Sequence, residues 1–75
     1  MKLLSFGNIT EITGSAETEI PVVSDSDELK IQILKKYPAL AGKKFVIAVD
    51  KKIISEKIKL RDNSEVALLP PFSGG

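Results

Sequence analysis

The sequence predicts an α+β fold in which one helix lies across one face of a small sheet. Three observations carry this. Only one segment of the 75 residues, Asp25 to Tyr37, has apolar residues at sustained helical spacing. Several short runs rich in Val, Ile and Leu lie on either side of it, separated by Gly, Pro, Asn and Asp. A single helix cannot flank both faces of a sheet, so it has to pack on one of them. A chain of this length is one domain with a small core.

Each element has a local reason. Lys2 to Phe6 reads as a first strand that Gly7-Asn8 breaks. Ile9 and Ile12 are three apart and Gly14 follows, which predicts one or two helical turns ending at a glycine. Ala16 to Val23 reads as a second strand forming a hairpin with the first, and Pro21 places it at an edge or marks its end. Asp25 can cap the long helix, with Glu28 completing a capping-box-like pair. Leu29, Ile33, Leu34 and Tyr37 form its apolar stripe, and Pro38 and Gly42 stop it. Phe45 to Val49 is a dense apolar run that reads as a central strand. Ile53-Ile54 and Ile58 read as short strand fragments, Arg61 to Ser64 as a turn, and Glu65 to Leu69 as the last strand. The order is β-β-α-β-β-β. The expected core is Leu4, Ile20, Leu29, Ile33, Leu34, Ile47, Val49 and either Val66 or Leu68.

Composition narrows the chemistry. There are 11 basic and 10 acidic residues, and no basic stripe of the kind that holds nucleic acid. With no Cys and no His, the chain has no thiol nucleophile, no imidazole base and no Cys/His zinc site; no metal site is expected. The N-terminal Met1-Lys2-Leu3-Leu4 gives way at once to Ser5 and Gly7, so no signal sequence or membrane span is expected and a cytoplasmic location is the default.

The unusual feature is the ending, Pro70-Pro71-Phe72-Ser73-Gly74-Gly75. Prolines lack donors and glycines lack side chains, so the last strand cannot continue through it. The chain divides into a globular domain, residues 1–69, and a tail, residues 70–75. Six residues reach about 20 Å at roughly 3.3–3.6 Å each. That suffices to carry the Gly75 carboxylate into a partner's active site while the body stays outside. Stiff prolines lower the entropic cost of docking, and glycines pass a narrow channel. Phe72, which has no core to join in a tail, is expected to enter a partner pocket. A carboxylate must be activated before it accepts sulfur or an amine. The chain has no Walker-type phosphate loop, so a partner must supply the ATP site. Any sulfur it carries would sit on the terminal carboxyl.

The segment Val66-Ala67-Leu68-Leu69-Pro70-Pro71-Phe72-Ser73-Gly74-Gly75 resembles the terminal signature of the MoaD/ThiS family, in particular its molybdopterin synthase small-subunit branch. Leu4 to Gly7, Glu11 to Gly14, Leu29 to Leu34, Lys36 to Leu40 and Val46 to Val49 resemble other parts of that family in order, though each is weak alone. Two turn positions depart from it, Asp50 and the run Asp62-Asn63-Ser64-Glu65, where Asn63 could supply a left-handed residue in place of Gly.

The resemblance implies a ubiquitin-like β-grasp fold and a sulfur carrier with no bound cofactor. An E1-like adenylyltransferase would activate Gly75 with ATP. A sulfur donor such as a cysteine desulfurase or rhodanese would convert it to a thiocarboxylate. The large synthase subunit, in a heterotetramer with this chain, would receive the tail (Pro70, Pro71, Phe72, Ser73 and Gly74) and pass the sulfur to a cyclic pyranopterin. It also implies partner docking around Phe6, Leu68 and Leu69, although alternation requires that Leu68 or Leu69 point inward. Neither nucleic acid nor membrane is an expected partner. Open alternatives are a ubiquitin-like modifier joined to proteins through Gly75, a thiamine-pathway sulfur carrier, and a binding module with an inert tail.

Overall fold

The structure is a computed structural model, and it describes residues 1–71. The chain runs β1 (Lys2–Ser5), α1 (Ile9–Thr13), β2 (Glu17–Glu19), α2 (Ser26–Lys36), a 3₁₀ turn (Pro38–Gly42), β3 (Val46–Val49), β4 (Lys52–Ile53) and β5 (Glu65–Leu69). The five strands form one mixed sheet in the order β2-β1-β5-β3-β4. β1 and β5 are parallel; the other pairs are antiparallel. The centre of the sheet is therefore the last strand, β5, and not the Phe45–Val49 run. That run is apolar because β3 is flanked on both sides, but the chain returns between it and β1.

Local chemistry accounts for most element ends. Gly14 closes α1 at φ +84°, a left-handed C-cap, and donates its N–H to the Thr10 carbonyl at 2.8 Å. Asp25 caps α2 by accepting from the Glu28 N–H at 2.9 Å. Glu28 reaches back as a capping box requires, but its carboxylate accepts from the Ser24 N–H at 3.2 Å rather than from Asp25. Asp27 and Glu28 in the first turn and Lys35 and Lys36 in the last complement the helix dipole. The segment after β4 is stitched to the start of α2. Ser26 donates its N–H to the Ile58 carbonyl at 2.9 Å, and its hydroxyl accepts from the Ile58 N–H at 3.0 Å. Ile58 belongs to no strand; the one bridge here joins Asp25 and Lys59.

β2 is shorter than the Ala16–Val23 run. It ends before Ile20 and Pro21, on the sheet edge. The Arg61–Ser64 turn is closed by the Ser64 N–H on the Arg61 carbonyl at 3.0 Å and the Arg61 N–H on the Ser64 hydroxyl at 2.9 Å. Asn63 is not left-handed. Among the described residues the non-glycine positions with positive φ are Asp50 (+49°) and Lys51 (+71°), the two-residue turn between β3 and β4.

The core lies between α2 and one sheet face. Leu29 and Ile33 on the helix meet Leu3, Val49, Val66 and Leu68 on the strands, with Ile9, Ile20, Leu40 and Leu60 closing the margins. Leu34, Tyr37 and Ile47 pack against this cluster half-buried. Leu4 is a correction. Pairing of β1 with β5 sets Leu3 beside Val66 and Ser5 beside Leu68, so these face inward and Leu4 takes the other face. Sequence alone could not choose, because Leu3 and Leu4 are the same residue type.

Candidate functional site

Two features converge at the end of β5. The first is the sheet face that α2 leaves uncovered. The register aligns Leu4, Ala67, Ala48 and Ile53 in one row across β1, β5, β3 and β4, and sets Val46 beside Leu69 in the next. Alternation from Leu4 brings Phe6 to the same face. Phe6 is 46% exposed and Ile53 54%, while Leu4, Val46, Ala67 and Leu69 are half-buried. A contiguous apolar face of this kind, on a domain this small, marks an interaction surface. Glu17 pairs opposite Leu4, and Lys2 opposite both Glu19 and Glu65, so charge fringes its near side.

The second feature is the base of the tail. β5 pairs along almost its whole length with both β1 and β3 and delivers the chain to Pro70 at the end of the sheet. Pro70 is half-buried and Pro71 exposed. The Pro70 ring lies against Gly7, which the sequence marks only as a strand breaker. Gly7 has φ +58°, and a Cβ built on it would lie 3.0 Å from Pro70 Cγ and 3.4 Å from Pro70 Cδ. Glycine thus serves twice here, for the left-handed turn and for the approach of the proline ring. The sequence signal was the Phe6-Gly7 pair, but nothing local links it to residue 70. The Phe6 N–H donates to the Leu68 carbonyl at 3.1 Å and completes the connection.

Of the three docking candidates, Phe6 is open and Leu69 partly so. Leu68 is fully buried in the core and offers no surface; the inward place required of one of the pair belongs to it. Phe72, Ser73, Gly74 and Gly75 lie outside the described residues. Among the described residues no group of three or more acidic side chains is placed to hold a metal ion, and no helix is long and apolar enough to cross a membrane.

A five-stranded mixed sheet holding a single main helix, with an apolar open face beside the end of its central strand, is the ubiquitin-like β-grasp. The chain belongs to the ThiS family, whose pattern it matches over residues 3–75. It is 37% identical to the molybdopterin synthase sulfur carrier subunit of Caenorhabditis briggsae, covering all of this chain and 96% of that protein. Identity to the same-named subunit of Chlamydomonas reinhardtii is 33%, covering all of this chain and 98% of the relative. Among solved structures it is similar to a candidate molybdopterin converting factor subunit 1 of Pyrococcus furiosus, with a TM-score of 0.80 and 22% identity over 93% of this chain and 94% of the other. It is also similar to small archaeal modifier protein 1 of Methanosarcina acetivorans, with a TM-score of 0.78 and 25% identity over 99% of this chain and 94% of the other.

Proposed function

We propose that this chain is the sulfur-carrying small subunit of a molybdopterin synthase and works through the carboxyl group of Gly75. The observation that carries this is the placement of the tail's base. The central strand delivers Pro70 to the margin of the open apolar face, in a chain that matches a sulfur-carrier family through residue 75. A partner seated on that face would lie beside the point where the tail departs, so a single docking event both holds the body and admits the tail.

The chemistry would run in three steps. An E1-like adenylyltransferase joins the Gly75 carboxylate to AMP from ATP, with release of pyrophosphate. The outer sulfur of a persulfide donor, of the cysteine desulfurase or rhodanese kind, displaces AMP to give an acyl disulfide, and a thiol reductant cleaves its S–S bond to leave the thiocarboxylate and free the donor cysteine. The large synthase subunit then receives the tail and lets this sulfur attack cyclic pyranopterin monophosphate, and water cleaves the acyl–sulfur bond to return Gly75 to its carboxylate. The chain has no catalytic group for these steps and binds no cofactor of its own; activation and catalysis belong to its partners. Its place is a cytoplasmic heterotetramer with the large subunit. A second reading, attachment of Gly75 to lysines of other proteins, draws only on the fold-level likeness to the archaeal modifier.

The test is intact mass of the chain purified from its native cell, alongside reconstitution with the large subunit and precursor. A carrier gains the mass difference between sulfur and oxygen at its C-terminus. Full activity from a chain ending at Gly74 would refute the assignment of the sulfur to Gly75.

A further inference from the structure

A second surface lies on the helix side of the sheet and meets the open apolar face only at Val46. From Leu29 to Val49 the chain carries five lysines and no acidic residue. Three of them, Lys30 on α2 and Lys43 and Lys44 before β3, converge on a groove between the helix and the sheet edge. Its floor is apolar, with Leu34 and Phe45 at one end and Ile54 at the other, all half-buried. Lys30 and Phe45 line both halves, which places the two side by side. All three lysines are exposed, and among the described residues none forms an ion pair. The far end carries Asp27 and Glu56 beside Lys57, which pairs with Asp25 at 3.8 Å, so uncompensated positive charge is concentrated at the Lys43–Lys44 end. The neighbouring edge is also incomplete. β4 pairs with Ala48 and Val49, the Ile54 N–H extends this to the Ile47 carbonyl at 3.0 Å, and from Val46 toward Phe45 this margin of β3 has no partner strand among the described residues.

We propose that this groove is a second docking site, which takes an extended segment of a partner protein carrying apolar side chains followed by a cluster of Asp or Glu. The apolar side chains cover Leu34, Phe45 and Ile54, and the acidic end lies against Lys43, Lys44 and Lys30. Charge complementarity selects this occupant. A neutral apolar segment would leave three lysines unanswered, and a purely anionic polymer would leave the floor uncovered. The site does not depend on the sulfur-carrier reading. It touches the open sheet face only at Val46 and leaves Leu4, Phe6, Leu69 and Pro70 free, so the chain can be retained by one protein while its tail is engaged by another.

The experiment titrates the full chain, labelled with nitrogen-15, with a synthetic peptide of alternating Val and Ile ending in three Glu, followed by amide shifts and fluorescence anisotropy. The expected result is shifts confined to residues around Leu34, Lys43, Lys44, Phe45 and Ile54. Affinity should fall about tenfold or more in the double variant Lys43→Glu, Lys44→Glu, whose thermal melt should match that of the parent because both residues are exposed. It should also weaken as salt rises from about 50 mM to about 300 mM. Phe6→Ala, on the other face, should bind the peptide as the parent does. Four results overturn the proposal: no binding, shifts on the open sheet face, equal affinity for the peptide ending in three Lys, or equal affinity for a thymidine 15-mer. Salt-dependent self-association that the double variant abolishes, with no peptide binding, also overturns it, in favour of a second copy of this chain.

Discussion

Gly7→Ala separates the two services that this glycine performs, and its effect can be worked from the structure. At φ +58° an alanine costs about 1–2 kcal/mol relative to its preferred backbone region. Reduced entropy of the unfolded chain returns about 0.4–1 kcal/mol. The new Cβ would then sit 3.0 Å from Pro70 Cγ, close enough that the ring must move by a few tenths of an ångström. Crowding of this kind typically costs about 1–3 kcal/mol, and the low end applies because Pro70 is only half-buried.

Gly14→Ala is the matched control. Its φ is +84°, but a Cβ there meets nothing within 4 Å, so it bears the backbone cost alone. Gly7→Ala should therefore be about 1 kcal/mol less stable than Gly14→Ala, a further loss of roughly 4–8 °C in Tm for a domain of this size. The second readout is sulfur transfer in the reconstituted synthase, measured well below both melting temperatures. A displaced Pro70 redirects every residue after it, and an error of about 1 Å at a reacting atom costs on the order of 100-fold. Gly7→Ala should lose transfer while Gly14→Ala retains it. If both variants melt together and transfer sulfur equally, Gly7 does not position the tail.

Other outcomes follow from the same geometry. Leu68→Ala should destabilise the fold by about 2–5 kcal/mol, as a large-to-small change in a filled core does, and a denaturant titration measures it. Phe6→Ala should change stability by no more than about 1 kcal/mol yet weaken binding to the large subunit, and calorimetric titration showing unaltered affinity would remove the open face from the docking account. Lys51→Gly should raise Tm, since Lys51 sits at φ +71° in a two-residue turn that favours glycine; a lower Tm would mean that its side chain makes a contact outweighing the strain. Extending the chain by one residue beyond Gly75 should leave the melt unchanged and abolish transfer, because it displaces the carboxyl by about 3.5 Å.

The sequence by itself determined the α+β class, the single capped helix, the glycine-ended α1 and the terminal signature that placed the chain in its family. These are legible because they rest on short-range physics: helical periodicity, side-chain caps, and residues barred from a strand. Tertiary structure alone decided which side of each strand is inside. Leu3 and Leu4, like Leu68 and Leu69, are adjacent and chemically identical, and only the register of β1 against β5 assigns Leu3 and Leu68 to the core and Leu4 and Leu69 to the open face. It also decided that the last strand is the central one, because strand order depends on pairings between residues some 60 positions apart. For the same reason it alone brings Gly7 beneath Pro70. Neither residue carries a local sign of the other, and the contact exists only because the first and last strands lie side by side.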